Sequence, residues 1–378
     1  MRIAVPAEIA NHENRVAITP EVAKKLVLLG HRVVVQKGAG VASRYTDASY
    51  EAVGAEMACD AAATYADASM VLKVKAPLAE EVKLIAENAV VVAMFSPYTN
   101  PLLQTYNEAK LSCFSMEMIP RTSRAQSMDV LSSQANIAGY KAVLMAVEYY
   151  QRFMPMLMTA AGTVQPAKVL VMGAGVAGLQ AIATARRLGA MVEAFDVRAA
   201  AKEQVESLGA RFVEVPVEGE GEDAGGYAKE MSDAYKQKQS ELIAKHVAAA
   251  DIIITTALIP GRSAPVLVSE TMLETMKPGS VVVDLAAEMG GNCPLTKLNE
   301  VYEHQGVTLV GIANIPSLMA TDASSLYARN VLNFITLMLN KEDQSLHLEG
   351  NSDDIIVASM LCHQGEFMKP QLLSGGAA

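Results

Sequence analysis

A glycine-rich turn between an apolar segment and a helix-forming segment constrains the fold of this chain more than any other feature. The residues run Val169-Leu-Val-Met-Gly-Ala-Gly-Val-Ala-Gly178, and the next apolar segment ends at Asp196. Strand, GxGxxG turn, helix, strand and carboxylate follow in the order of a dinucleotide-binding βαβ unit. A glycine-rich turn in an ordinary α/β protein is the alternative, but the complete pattern favours a bound nicotinamide or flavin dinucleotide.

The three glycines of this turn have separate tasks in such a unit. Gly173 permits the tight turn, Gly175 lets the backbone approach a pyrophosphate, and Gly178 lets the helix pack closely on the sheet. The helix, expected over about 176–188, directs free N–H groups and a positive dipole end toward phosphates. Ala174 and Val176 lie between the glycines and belong to the same predicted site.

The acid at the end of the second strand predicts which dinucleotide is bound. Asp196 follows Gly173 at about the 20-residue distance that is usual for a carboxylate on a ribose 2′-OH. A carboxylate there accepts hydrogen bonds from a diol and repels a 2′-phosphate, which favours NAD(H) over NADP(H). Arg198 is the one neighbouring residue that could accept a 2′-phosphate instead.

Composition and charge exclude several other classes of protein. The 378 residues suggest two to three domains, and 51% hydrophobic residues suffice for sizeable cores. A net charge of −10 without a basic patch argues against nucleic acid and anionic membrane surfaces as partners. The four scattered cysteines form no metal-binding pattern and are expected to be reduced thiols of a cytoplasmic protein. No apolar run is long enough to insert into a membrane, which leaves docking to a membrane protein open.

Short apolar segments alternate with helical patterns along the whole chain and predict two α/β domains. Each is expected to be a Rossmann-like, doubly wound parallel sheet, with long helices between the two. The first domain combines residues 1–133 with 316–378, and the second covers 134–315. Strands are expected at 3–6, 32–36, 70–73, 90–95, 111–115, 168–172, 191–196, 211–215, 251–256, 280–285 and 307–311, and helices at 19–30, 134–153 and 323–339. After residue 339 we expect a polar, weakly structured tail.

A polar segment, Arg121 to Ser132, offers a second set of functional groups. Gln126 matches a nicotinamide carboxamide with reciprocal hydrogen bonds, and Arg121 can reach a carboxamide oxygen or a phosphate. Asp129 can bind ribose hydroxyls or hold Arg121 in place. A helix-capping loop with an Arg–Asp surface pair explains the same residues equally well.

The segment 219–226 carries four glycines in eight residues and precedes Tyr227. A solvated acidic loop is the simpler interpretation. A lid that closes over bound cofactor, with Tyr227 at its tip and the glycines as hinges, is the functional one.

These segments together resemble one family, the NAD(H)-binding components (alpha subunits, domain I) of proton-translocating NAD(P) transhydrogenases. The likeness extends to about residue 340. Its most specific segments are Arg121-Thr-Ser-Arg-Ala-Gln-Ser-Met-Asp129 and Gly225-Gly-Tyr-Ala-Lys-Glu-Met231, and it also includes Gln134–Tyr140, Thr255–Gly261 and Asp284–Cys293. The resemblance implies hydride transfer between NAD(H) on this chain and NADP(H) on a partner component, coupled to proton movement by a membrane-spanning component. It also implies a homodimer on the cytoplasmic face of the inner membrane.

The resemblance assigns roles to individual residues. The nicotinamide end would be surrounded by Arg121, Thr122, Ser123, Gln126, Asp129, Val130, Leu131 and Ser132, of which Arg121, Gln126 and Asp129 would serve hydride transfer. The pyrophosphate and adenosine end would be held by Gly173, Ala174, Gly175, Val176, Gly178, Asp196, Val197 and Arg198. The remaining contacts would come from Gly226, Tyr227, Gln239 and Leu258. No metal ion is expected.

Alanine dehydrogenase, which shares the implied fold, is the alternative. Arg15 and Lys75 match its substrate-binding Arg and Lys, but Ser96 stands where its catalytic His follows a strand, and Glu288 stands at its catalytic Asp. Amino-acid oxidation needs a general base, whereas hydride exchange between two nicotinamides needs only two rings held face to face. The sequence therefore favours transhydrogenation. A third possibility is a module that binds NAD without catalysing hydride transfer.

Overall fold

Parallel strands alternate with helices in the computed structural model, which describes residues 1–214, 233–259, 261–340, 342–348, 350 and 352–373, with backbone only at 233–236. The strands are β1 (Arg2–Val5), β2 (Arg32–Gln36), β3 (Glu56–Ala58), β4 (Met70–Lys75), β5 (Val90–Met94), β6 (Ser112–Ser115), β7 (Leu157–Thr159), β8 (Gly162–Val164), β9 (Lys168–Met172), β10 (Met191–Phe195), β11 (Arg211–Phe212), β12 (Ile252–Thr255), β13 (Val281–Asp284), β14 (Val301–His304), β15 (Val307–Val310), β16 (Met360–His363) and β17 (Glu366–Phe367). The helices are α1 (Pro20–Leu28), α2 (Asp47–Glu51), α3 (Ala61–Tyr65), α4 (Ala79–Val82), α5 (Leu103–Glu108), α6 (Val130–Tyr150), α7 (Val176–Arg187), α8 (Ala201–Ser207), α9 (Asp233–Ala249), α10 (Glu270–Leu273), α11 (Ala320–Thr336) and α12 (Asp354–Ser359). The chain divides into unit 1, residues 1–135 with 316–378, and unit 2, residues 136–315.

Unit 1 is built on an eight-stranded sheet in the order β17-β16-β6-β5-β4-β1-β2-β3. Strands β1 to β6 are parallel, and their apolar side chains are buried because helices cover the sheet. The helix predicted before β2 is α1, which begins at Pro20 and ends before Gly30, whose φ of +84° suits a helix-terminating glycine. The chain reverses direction across the sheet between β1 and β4.

The segment after residue 339 is not the weakly structured tail that the sequence suggests. It forms α12, β16 and β17, and β16 pairs antiparallel with the edge strand β6, where Cys362 lies opposite Cys113. Ile355, Ile356 and Leu361 are buried. The apolar runs here are too short to show a period, and the free edge of β6 decides their structure.

Unit 2 holds a seven-stranded sheet in the order β11-β10-β9-β12-β13-β15-β14. Its strands are parallel except β14, which pairs antiparallel with β15 and was not predicted. The β7–β8 hairpin also lies where the sequence suggested only a break. The strand β9 leads outward to β10 and β11 before the chain returns on its other side through β12, so β9 flanks the switch point of a doubly wound sheet. The α/β fold class with parallel sheets is confirmed.

Candidate dinucleotide site

The glycine turn of unit 2 has the backbone geometry that its three glycines require. Gly173, directly after β9, has φ +102° and donates its N–H to the carbonyl of Phe195 at 2.8 Å. A Cβ on Gly178 would lie 1.8 Å from the carbonyl oxygen of Gly173, so any side chain there would push α7 off the turn. The close packing inferred from the sequence is therefore a steric requirement of this fold.

Gly175 differs from the other two glycines, because a Cβ on it would meet nothing within 4 Å. It is the N-cap residue of α7 and supplies no side-chain cap to that helix. The first-turn N–H groups of a helix have no intrahelical acceptor, and here they face open space beside a residue without a side chain. This arrangement fits a pyrophosphate group.

Asp196 lies at the carboxyl end of β10, next to the turn. One carboxylate oxygen accepts the Ala174 N–H at 2.7 Å, and the other accepts the Arg198 N–H at 2.8 Å. The Arg198 guanidinium adds two hydrogen bonds of 3.0 Å, one to each oxygen. Burial raises the pKa of Asp196, but the hydrogen bonds from Arg198 and Ala174 outweigh burial and lower it. The site therefore presents an ionised carboxylate.

Two exposed apolar side chains flank this carboxylate on the loops after β10 and β12. Val197 is 74% exposed and Leu258 is 53% exposed. Large apolar side chains at a strand-end cleft can cover the faces of an adenine ring. Gln239 is half-buried on α9. Gly226 and Tyr227, with the loop predicted around them, lie outside the described residues.

Three residues that shape this end of unit 2 were missed as functional from the sequence. The buried Asn292 binds both the N–H and the carbonyl of Ala257, at 3.1 and 2.9 Å, and so fixes the loop that carries Leu258. Thr256 donates to the carbonyl of Gly173 at 3.0 Å. Gly139 lets α6 approach α7, since a Cβ there would lie 2.0 Å from the Ala177 carbonyl oxygen. An unexplained glycine within a helical pattern was the one available signal.

A cavity of about 460 Å³ lies at the opposite edge of the unit 2 sheet. Its walls include Lys168, Met191 and Arg211, at the amino ends of β9, β10 and β11, and His246 of α9. Cofactors bind beyond the carboxyl ends of strands in sheets of this type, so this cavity is separate from the candidate dinucleotide site.

In unit 1, the segment from Arg121 to Ser132 forms a 3₁₀ turn (Ser123–Met128) followed by the start of α6. Asp129 caps α6, because its carboxylate accepts the N–H and the hydroxyl of Ser132 at 2.9 and 2.6 Å. The capping interpretation is thus correct for Asp129. Its carboxylate does not hold Arg121; the ion pair of this segment joins Arg124 to Asp353 instead.

The side chains of Arg121 and Gln126 remain available for a ligand. Both are exposed, and neither makes a hydrogen bond or ion pair with the residues that the structure describes. Thr122 and Ser123 are also exposed. Val130 is fully buried in the core of unit 1, which leaves only its backbone for a cofactor contact, whereas Leu131 is 42% exposed.

The residues that match alanine dehydrogenase lie in a different environment. Arg15 is 2% exposed and is held by the carboxylate of Glu13 at 2.6 and 2.7 Å and by the side-chain oxygen of Gln134 at 2.8 Å. A neutralised, enclosed guanidinium is poorly placed to bind a substrate carboxylate. Lys75 is half-buried at the end of β4.

Ser96 follows β5 in the left-handed conformation, with φ +49°, and its N–H binds the Glu117 carboxylate at 2.7 Å. Its side chain is exposed and carries a hydroxyl rather than a basic ring nitrogen. Glu288, at the other predicted catalytic position, is an exposed residue of a 3₁₀ turn in unit 2.

Metal-binding clusters and membrane-spanning helices are both absent from the described residues. No group of three or more His, Cys, Asp or Glu side chains there is arranged to hold a metal ion. None of the helices in the described ranges is both long and apolar enough to cross a bilayer. The four cysteines are free thiols, and only Cys59 is exposed.

Comparison with known proteins identifies the family. The alanine dehydrogenase/PNT N-terminal domain matches residues 4–138, and the alanine dehydrogenase/PNT C-terminal domain matches residues 142–370. The first of the polypeptides that make up the NAD(P) transhydrogenase alpha subunit of Rhodospirillum rubrum is 49% identical over the whole of both chains. A solved transhydrogenase structure from Sinorhizobium meliloti superposes with a TM-score of 0.89 at 48% identity, over 97% of this chain and 100% of that one.

Alanine dehydrogenase is a more distant relative. The enzyme of Methanococcus maripaludis is 32% identical over 90% of this chain and 88% of its own length. Both lines of similarity cover the two units described above, and the higher identity is to the transhydrogenases. The chain therefore belongs to the alanine dehydrogenase/PNT family, and within that family to the NAD(P) transhydrogenase alpha subunits.

Proposed function

We propose that this chain binds NAD(H) and exchanges hydride between it and NADP(H) held by a separate component. The observation that carries the choice of NAD(H) is the ionised Asp196 beside the glycine turn. A buried, charged carboxylate accepts hydrogen bonds from the ribose hydroxyls and repels a 2′-phosphate. The open face at Gly175 supports the same cofactor, because it leaves room for a pyrophosphate.

Unit 1 would supply the nicotinamide end. Gln126 would exchange hydrogen bonds with the carboxamide, and Arg121 would bind its oxygen or a phosphate, since both side chains are exposed and uncommitted among the described residues. Asp129 would act through the start of α6, which it caps. NADH, when bound, supplies the hydride, and the task of these residues is to orient the ring.

The chemistry around Ser96 supports transhydrogenation over alanine oxidation. By resemblance, this position holds the catalytic His of alanine dehydrogenases, and a serine hydroxyl is a weak base. Arg15 is also committed to Glu13 and Gln134 rather than open to a substrate carboxylate. Hydride exchange between two nicotinamides requires neither group, because its rate depends on how the two rings are positioned.

A mixing assay tests the proposal. The protein, NADH, a purified NADP(H)-binding component and an NADP analogue are combined, and reduction of the analogue is followed. We expect reduction only when both proteins are present, and tighter binding of NADH than of NADPH. No detectable NADH binding at millimolar concentration would overturn the proposal. Binding without transfer would favour a non-catalytic module, and NAD reduction by alanine without any partner would favour the dehydrogenase alternative.

We further propose that the chain works as a homodimer beside a membrane-spanning proton-translocating component, on the cytoplasmic face of the inner membrane. The β7–β8 hairpin and its approach support self-association, since Phe153, Met156 and Met158 are 58%, 53% and 79% exposed. Clustered exposed apolar side chains are typical of surfaces that a partner covers. Sedimentation of Met158→Gln against the unmodified protein tests this, and a stable dimer in the variant would argue against the hairpin.

A further inference from the structure

We propose that Arg124, Asn330 and Asn333 are positioning residues that hold the Ser123–Met128 turn, and thereby Gln126, in one orientation. This inference rests on the proposed function for its catalytic consequence. It goes beyond that function because it assigns a task to the C-terminal segment of unit 1, which contacts the turn from two sides.

The first contact is an ion pair at Arg124. Its guanidinium donates to both carboxylate oxygens of Asp353, at 2.6 and 2.8 Å, and also contacts Asp354. A bidentate Arg–carboxylate pair fixes direction as well as distance. Asp353 in turn caps α12 by accepting the Ile355 N–H at 2.9 Å, and Ile355 is fully buried. Arg124 is therefore tied to a helix that is anchored in the core.

The second contact comes from α11. The carbonyl of Ser127 accepts hydrogen bonds from the side-chain amides of Asn330 and Asn333, at 2.8 and 3.1 Å. Residues three apart lie on the same helix face, so both amides reach one acceptor. Asn330 also accepts the Ser133 hydroxyl at 2.8 Å, which joins the turn to the beginning of α6.

Such external support matters because the turn is short. A 3₁₀ segment of six residues has poor hydrogen-bond geometry and little stability of its own. Ala125 and Met128 are buried beneath it, and the contacts at Arg124 and Ser127 restrain its exposed side. Gln126 lies between the two restrained positions and keeps an exposed, uncommitted amide. A displacement of about 1 Å at a group that orients reactants can slow a reaction by about 100-fold.

The decisive comparison is Arg124→Gln against Arg329→Gln. Arg329 pairs with Glu21 at 3.2 Å, and its side chain is 53% exposed, against 51% for Arg124. The control thus removes a similar surface ion pair of unit 1 that does not contact the turn. In single-turnover assays with the NADP(H)-binding component, we expect Arg124→Gln to slow hydride transfer about tenfold, within the range expected for misplacement. NADH affinity should change less than about twofold, and the control should change neither quantity.

Hydrogen exchange measures the turn without any assay of activity. The Ala125 and Asp129 N–H groups bind the carbonyls of Thr122 and Gln126 within the turn. We expect these two amides to exchange faster in Arg124→Gln than in the unmodified protein or in Arg329→Gln. Asn333→Asp provides a second route, because it replaces the donor to Ser127 with a repelling carboxylate at a partly exposed site.

The outcomes separate the two proposals. Unchanged exchange and an unchanged transfer rate in both Arg124→Gln and Asn333→Asp would overturn the positioning role. Faster exchange in these variants, in a protein that never transfers hydride, would overturn the proposed function while supporting the restraint of the turn. Equal losses of rate in Arg124→Gln and Arg329→Gln would also overturn the inference, since general destabilisation would then explain both.

Discussion

The guanidinium of Arg198 closes over the carboxylate of Asp196 through two hydrogen bonds of 3.0 Å. The carboxylate is 7% exposed and the guanidinium side chain 61% exposed, so the arginine can leave while the acid stays in place. Backbone N–H groups of Ala174 and Arg198 keep the acid oriented. Ribose hydroxyls of a bound dinucleotide would replace the guanidinium at an acceptor that is already ionised and aimed.

Replacing Asp196 with Asn should weaken NADH binding and reduce discrimination against NADPH. The loss of charge-assisted hydrogen bonds is expected to weaken NADH binding about tenfold, near the low end of the roughly 1–3 kcal/mol range for such groups. NADPH should bind no worse, because the repulsion of its 2′-phosphate is removed. Titration of both nucleotides measures this, with Asp343→Asn, in an exposed turn of unit 1, as the control. An unchanged ratio of the two affinities would contradict the assignment.

Alanine substitutions at two glycines of the turn should have different effects. Gly175→Ala places a methyl group in open space, so the melting temperature should stay the same while NADH binding falls, because the methyl occupies the pyrophosphate's position. Gly178→Ala forces a methyl group against the Gly173 carbonyl and should also lower stability, by about 1–3 kcal/mol. Calorimetry combined with NADH titration distinguishes the two effects. Equal losses of stability would show that Gly175 is not an open position.

Replacing Gln126 with Leu should slow hydride transfer far more than it weakens NADH binding. The side chain is exposed and uncommitted among the described residues, so its loss should leave the fold intact. We expect the transfer rate to fall by about 10- to 100-fold, in line with the loss of orientation, with a small change in affinity. Gln104→Leu, on the exposed face of α5, is the matched control. Similar effects on rate and affinity would contradict the orienting role.

The Arg124–Asp353 pair should make stability depend on pH in the acid range. The Arg124 guanidinium, through its hydrogen bonds, holds the pKa of Asp353 below its usual value. A carboxyl group with a lower pKa in the folded state stabilises the fold above its unfolded pKa of about 3.9, and this contribution is lost as pH falls through the folded pKa. Denaturant unfolding at about pH 6 and at progressively lower pH should show a smaller acid loss in Asp353→Asn. An identical pH profile would contradict the pairing in solution.

Local patterns explain why much of unit 2 could be predicted. The segment from Lys168 to Asp196 carries its own signals, namely strand hydrophobicity, glycines at fixed positions and a terminal acid, and each acts within a few residues. In contrast, β14 and the β7–β8 hairpin have weak local patterns. Their structure depends on the strands they pair with, which a single sequence does not reveal.

The candidate site shows the same division. Asp129 had two equally good interpretations, and the position of Ser132 one helical turn away selected the capping role. Arg15 matched a substrate-binding residue, but its burial against Glu13 and Gln134 removes it from solvent. Asn292 carried no signal in the sequence, because its task depends on a loop 35 residues away in the chain.

The sequence by itself determined the α/β class, the glycine turn, the acid at Asp196 and the polar segment that carries Arg121 and Gln126. These follow from backbone sterics and side-chain chemistry within short windows. Only the tertiary structure decided that the segment after residue 339 completes the sheet of unit 1, and that Arg124 and Ser127 are held by Asp353, Asn330 and Asn333. Those contacts join residues that lie far apart in the chain, and their stability comes from buried edges and shared hydrogen bonds that exist only once the chain has folded.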